Sequence, residues 1–249
     1  MSGMIAATGF ADSAFAQNFY KSFIANGRWE LYVSGLGRTL EVTVLALLLG
    51  VVLGVITALL RVAHDQRRPG QHSAGSVLLS ICNAITRIYI TVIRGTPAIV
   101  QLMILGFVVF KSSRNFTLVG ALGLGINSGA YVSEIIRSGL MSIDKGQMEA
   151  GRSLGMGYVP VMRHIIIPQA IKNILPALGN ELITLFKDTS LVTVIGLADL
   201  TKVAIQVQAK TYQAFMPFIG IAVVYLTIVL ILTWLLGILE RRLRQSDRH

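Results

Sequence analysis

An all-α integral membrane protein is the fold class this sequence predicts, and three observations predict it. The 249 residues are 53% hydrophobic and only 14% charged, with a mean hydropathy of +0.67, whereas a water-soluble domain of this size carries about 25% charged residues. The apolar residues are gathered into runs of about 20, the length of a membrane-crossing helix. The basic excess, 22 Lys and Arg against 12 Asp and Glu, falls mostly in the short segments between those runs, which is the positive-inside pattern. A net charge of +10 placed this way points to lipid headgroups as the partner and away from nucleic acid.

Residues 1–38 read as an extracytoplasmic segment. Its start, "MSGMIAATGFADSAFAQ", ends like a cleavage site, but it has no basic leading region and Asp12 interrupts its apolar run, so it is expected to remain in the mature chain. Span one is Leu40 to Leu60, 21 residues with Glu41 as the single charge, enough at 1.5 Å per residue to cross ~30 Å of hydrocarbon. A basic loop with Arg61, Arg67, Arg68 and a Pro69-Gly70 turn follows. Span two is expected at 88–110, with Pro97 kinking or starting its helix and Arg94 snorkelling to the inner headgroups in preference to a carboxylate contact. Span three, 116–140, is rich in glycine, and span four, Ile171 to Leu191, is interrupted by Asn180, Glu181, Lys187 and Asp188. Residues 192–216 read as a short re-entrant or surface segment, and span five runs from Phe218 to Leu239. The transmembrane domain is thus 39–242, followed by a basic cytoplasmic tail, 243–249.

Five spans divide the basic residues unequally. One side holds Arg61, Arg67, Arg68, Arg137, Lys145, Arg152, Arg163, Lys172, Arg241, Arg242, Arg244 and Arg248; the other holds Lys21, Arg28, Arg38, Lys111, Arg114, Lys202 and Lys210. The richer side is expected in the cytoplasm, which puts the N-terminus outside and the C-terminus inside. Two GxxxG pairs, Gly50/Gly54 and Gly125/Gly129, predict close packing of spans one and three.

Between spans three and four lies "EAGRSLGMGYVPVMRHIIIP", residues 149–168. A short helix starting near Asp144 would carry Glu149, with Arg152 one turn on, Ala150 and Gly151 as a small close-approach surface, and Leu154 and Met156 as apolar knobs. Gly155 or Gly157 would end it. Such a helix suits insertion into another protein's groove, and equally suits lying on the membrane surface.

Resemblance separates the two. Glu149-Ala150-Gly151, Gly155 six residues after the glutamate, then Ile165 and Pro168 resemble the EAA loop of ABC-importer permeases, with Gly151 in place of the second Ala and Ile167 in place of the Leu. "GLGRTLEVT" (35–43), "RGTPAIVQL" (94–102), "NSGAYVSEIIRSG" (127–139) and "KDTSLVTVIGLADL" (187–200) are similar, in order, to segments of the permease subunits of polar-amino-acid ABC importers, so the likeness runs from about residue 20 to 242. The resemblance implies a five-span core like that of methionine importers, located in the inner cell membrane. It also implies ATPase coupling through residues 144–168, two cytoplasmic ABC ATPase subunits, a second permease subunit that is identical or related, and an extracytoplasmic amino-acid-binding protein. The chain has no G-x-x-x-x-G-K-[ST] loop, so ATP is expected to bind on the partner ATPase and no cofactor on this subunit.

Polar groups inside spans are costly and mark a partner or a watery route. Asn127 and Tyr131 lie on one face of span three with Glu134, and read either as pathway lining or as interhelical hydrogen bonding, with Glu134 paired to Arg137 or Arg94. In span four, Glu181 can accept an amino acid's ammonium, and the hydroxyls and backbone around Thr189-Ser190 can donate to its carboxylate. Asn127, Tyr131, Glu181, Asp188 and Thr189 are therefore the candidate substrate-pathway residues, with a Lys187–Asp188 ion pair at the kink as the alternative. Cys82 is alone and His64, His72, His164 and His249 are scattered, so no metal site is expected. No Ser/His, HExxH or paired-Asp constellation indicates an enzyme. An ion-coupled secondary transporter is the alternative function, and it would use similar intramembrane polar groups.

Overall fold

The computed structural model describes residues 14–66 and 74–245. The cleavage-site-like start up to Ser13, the Pro69-Gly70 turn with Arg67, Arg68 and His72, and Arg248 and His249 lie outside the described residues. Helix α1 (Ala14–Phe19) continues through a π turn (Tyr20–Ile24) into a short 3-10 turn (Ala25–Gly27). There Asn26 and Gly27 take left-handed φ of 57° and 67°. That break turns the chain into α2 (Arg28–Asp65), whose 38 residues begin well before the predicted span one. The extension is held by tertiary contact rather than by apolarity: Gly35 admits the backbone of Leu200, and the Leu200 amide donates to Thr39 Oγ1 at 3.2 Å.

Span two departs from expectation. Its long helix is α3 (Ala74–Gly95), followed by a break at Thr96-Pro97 and then by α4 (Ala98–Ile104), which runs into a π turn (Leu105–Val109). Hydropathy discounts residues 74–87 because they hold Ser76, Asn83 and Thr86, yet these three are buried, and Thr86 Oγ1 donates to the Asn83 carbonyl at 2.9 Å. Pro97 ends α3 because it has no N–H to donate, and it disfavours helical geometry in the residue before it.

Helix α5 (Phe116–Met141) is the centre of the bundle. It packs on α2 through reciprocal glycines: a methyl placed on Gly54 would lie 2.4 Å from Val132 Cγ1, and one on Gly129 would lie 2.9 Å from Leu53 Cβ. Packing, as the GxxxG spacing suggested, is what these glycines do. Gly54→Leu is therefore expected to cost more than ~2 kcal/mol through overpacking. A clear drop in the melting temperature of the detergent-purified protein is the expected result, and an unchanged one would contradict this packing.

The chain then forms α6 (Lys145–Ser153), α7 (Tyr158–Val161) with a π turn (Met162–Ile166), and α8 (Ile167–Asp188) with Pro176 inside it. A 3-10 segment (Thr189–Ile195) leads through Gly196, at φ +96°, into α9 (Leu200–Thr211), and α10 (Phe215–Gln245) closes the described chain. By length and hydropathy, four helical stretches among the described residues can cross a membrane, or five if Tyr158–Ile195 and Leu200–Thr211, bent by 51°, count as one broken span. That bend falls inside the expected re-entrant segment, 192–216. Val42, Leu102, Leu124, Leu185 and Val192 form the apolar core between α2, α4, α5 and α8. Only 6% of the most apolar stretch of α10 is buried, so that helix offers its surface to lipid or to another subunit.

Candidate functional site

The loop helix α6 is built to hold its shape. Asp144 caps it, its carboxylate accepting from the Gly146 amide at 2.6 Å. At the other end Gly155 takes φ +78°, its amide donates to the Arg152 carbonyl and the Met156 amide to the Gly151 carbonyl. Those two bonds are the Schellman closure, and they need glycine at the left-handed position. Glu149, Ala150, Arg152, Leu154 and Gly155 are exposed and Met156 is half-buried. Leu154 stands out at 82% exposure, on a helix whose tight closure leaves it nowhere to fold back.

One residue of the expected docking surface belongs elsewhere. Gly151 is buried, and a methyl on it would lie 2.6 Å from Val161 Cγ2, so its smallness serves the packing of α6 on α7 rather than a partner. The loop helix reaches α8 through Gln169 Nε2, which donates to Gln147 Oε1 at 3.5 Å, while Asn173 Nδ2 of α8 donates at 2.8 Å to Ser142 Oγ, which ends α5. Beside α6, Arg137, Met141, Met148, Glu149, Arg152 and Met162 are among the residues around a cleft of about 550 Å³.

Within the bundle, Glu134 pairs with Arg61 of α2 and lies 3.9 Å from Arg94 of α3. The expected Arg137 partner is not used, and Arg94 does not snorkel away: its guanidinium stacks over the Tyr131 ring, 5.3 Å from the centroid. Sequence reasoning left Arg61 in a loop because hydropathy ended span one at Leu60, whereas α2 continues to Asp65 and carries Arg61 back against α5. Asn127 Nδ2 donates to Gln101 Oε1 at 3.0 Å, and Gln101 Nε2 donates to the Ile93 carbonyl and to Thr96 Oγ1, both at 2.8 Å. Gln101 thus staples the Thr96-Pro97 break to α5. Its place in "RGTPAIVQL" was the one signal that it mattered.

Glu181 accepts a hydrogen bond from Ser128 Oγ at 2.7 Å, so α8 and α5 share it. Asp188, at the end of α8, is half-buried, and no Lys187–Asp188 ion pair is present among the described residues. Thr189 is fully buried and donates to the Phe186 carbonyl at 2.6 Å, so in this conformation it lines no surface. Tyr131 keeps 38% of its surface exposed. The structure therefore gathers Glu181 and Asp188 on one flank of α8, sets Asn127 and Tyr131 on α5, and withdraws Thr189.

The sequence profile of the family described as "binding-protein-dependent transport system inner membrane component" matches residues 73–245. The chain belongs to this family. Among its relatives is the arginine transport system permease protein ArtQ of Bacillus subtilis, 40% identical over 220 residues, covering 86% of this chain and 93% of that protein. The glutamine transport system permease protein GlnP of Escherichia coli K12 is 35% identical over 218 residues, covering 86% and 93%. A crystal structure described as "an amino acid ABC transporter with histidines" aligns with a TM-score of 0.76 at 44% identity, covering 86% of this chain and 94% of that one. The inward-facing MetNI methionine ABC transporter aligns with a TM-score of 0.71 at 23% identity, covering 88% and 99%, and at that identity it speaks to the fold. Family membership makes this a multi-pass membrane transport component and not an enzyme.

Proposed function

We propose that this chain is the permease subunit of an ATP-binding-cassette importer that carries a polar or basic amino acid across the inner membrane. One observation carries the reading of how it works. The exposed knob Leu154 and its neighbours Glu149, Ala150 and Arg152 are carried by a helix that is fastened to α8 through Gln169 and Gln147 and packed on α7 through Gly151. A partner ATPase that grips α6 and moves it therefore moves α8, together with Glu181 and Asp188. Here the N-terminus is outside, residues 144–168 and the C-terminus are cytoplasmic, and two ATPase subunits, a second permease subunit and an extracytoplasmic binding protein complete the machine. The names of the relatives, arginine and glutamine permeases, support an amino-acid substrate, and the carboxylates Glu181 and Asp188 favour one bearing positive or neutral polar groups.

The test is reconstitution. The chain is placed in liposomes with its ATPase and binding protein, and uptake of radiolabelled L-arginine and L-glutamine is followed. Uptake that needs ATP and every partner is the expected result. Uptake by the chain alone under a sodium or proton gradient would instead mark an ion-coupled carrier and end the proposal.

A further inference from the structure

Two cations and two carboxylates at the loop-side ends of the spans serve neither the coupling surface nor the charge cluster at Glu134. Arg137 and Lys145, with Asp65 and Asp144, are among the residues around the cleft of about 550 Å³ beside α6. Arg137 is half-buried near the end of α5, Asp65 is the last residue of α2, and Asp144 and Lys145 begin α6. The cleft therefore lies where two spans meet the loop helix.

Neither Arg137 nor Lys145 forms an ion pair among the described residues. Each carboxylate has a neighbour for one oxygen: Asp65 Oδ1 lies 3.6 Å from His64 Nδ1, and Asp144 Oδ1 accepts from the Gly146 amide. Opposite charges that line one cleft without pairing leave both signs open to an occupant that carries both. Glu149 and Arg152 line the same cleft, but the coupling reading gives them to the ATPase.

Much of the remaining lining is apolar and includes three methionines, Met141, Met148 and Met162. Met141 is the last residue of α5 and 68% exposed, at the level where a span leaves hydrocarbon for headgroups. Unbranched thioether side chains adapt to an irregular apolar occupant, and a small soluble zwitterion would leave them in water. A phospholipid of the inner leaflet brings a phosphate for the basic pair and an acyl chain for the methionines. An ethanolamine headgroup adds an ammonium, whose N–H groups suit the two carboxylates.

We propose that this cleft holds a phosphoethanolamine phospholipid of the inner leaflet, with its phosphate on Arg137 and Lys145, its ammonium on Asp65 and Asp144, and the top of an acyl chain along the three methionines. The inference rests on the cytoplasmic placement of residues 144–168 given above and is independent of the solute carried.

The test uses the purified permease–ATPase complex, stripped of lipid in detergent and titrated with phosphatidylethanolamine, phosphatidylcholine and phosphatidylglycerol of identical acyl chains, with bound lipid counted by native mass spectrometry. Phosphatidylethanolamine is expected to bind on the order of 10-fold more tightly than the other two, because trimethylammonium has no N–H to donate and glycerol carries no cation. Arg137→Gln is expected to weaken that binding about 10-fold, with Arg137→Lys restoring most of it. Asp65→Asn is expected to narrow the preference over phosphatidylcholine roughly 3-fold, as one of two carboxylates is lost. Equal binding of the three lipids by the wild-type complex overturns the proposal, and so does a preference that neither Arg137→Gln nor Asp65→Asn changes. Displacement of the lipid by millimolar L-arginine or L-glutamine assigns the cleft to a soluble zwitterion and overturns it as well, as does glycerophosphoethanolamine binding as tightly as the intact lipid. A complete reconstituted transporter that takes up no amino acid ends the importer reading and leaves the lipid ratios untouched.

Discussion

Glu149→Lys is expected to lower ATP-driven uptake by the reconstituted transporter on the order of 100-fold while membrane insertion and folding stay intact. The side chain of Glu149 is exposed, and the bond from Ser153 Oγ to its backbone carbonyl at 3.0 Å survives the substitution. Within α6 the new lysine would face Lys145 four residues back and Arg152 three residues on, a like-charge penalty of about 0.3 kcal/mol each. That is too small to unfold the loop. At a docked surface a reversed charge costs several kcal/mol, and about 2.7 kcal/mol is already a 100-fold change in affinity. Co-purification of the ATPase with the permease and ATP-dependent uptake are the measurements. Normal association and uptake in this variant would remove residues 149–156 from the coupling role.

Glu134→Leu is expected to destabilise the bundle by roughly 3 kcal/mol, at the low end for breaking a buried pair, because Glu134 keeps 29% of its side chain exposed. The reason is the ratio of charges: two guanidiniums, from Arg61 and Arg94, share this single carboxylate. Removing it leaves the mostly buried Arg61 and the half-exposed Arg94 without their shared carboxylate. The double variant Arg61→Leu/Glu134→Leu is expected to recover most of the loss, since Arg94 then stands alone and still has the Tyr131 ring beneath it. Thermal denaturation in detergent of the single and double variants gives the comparison. Equal stability of Glu134→Leu and wild type would show that the cluster holds nothing together.

The two outcomes illustrate how differently the chain's features could be read in advance. The cap at Asp144, the exposed Leu154 and the left-handed Gly155 were legible because the shape of the loop helix is local: a cap, a short helix, a knob and a closing glycine lie within a dozen residues. Spans three and five were legible for the same reason, since a long apolar or glycine-rich run declares itself by hydropathy. Span two was not, because Ser76, Asn83 and Thr86 lower the hydropathy of a helix whose burial hides them. Arg61 was placed in a loop because an arginine looks like the end of a span until its carboxylate, 73 residues away, is known.

Composition and periodicity by themselves determined that this is a helical membrane protein, where its greasiest helices lie, that spans one and three each carry glycines for close packing, and that a small polar loop interrupts the spans. Each of those depends on residues near in sequence, whose free energy of transfer or backbone preference is set locally. Only the tertiary structure decided which way the polar side chains face: Gly151 inward on Val161, Thr189 buried on its own helix, Glu134 between two arginines, Arg137 open on the cleft beside the loop helix. A polar group inside a membrane must find its partner across helices, and a distance of dozens of residues along the chain says nothing about which partner that is.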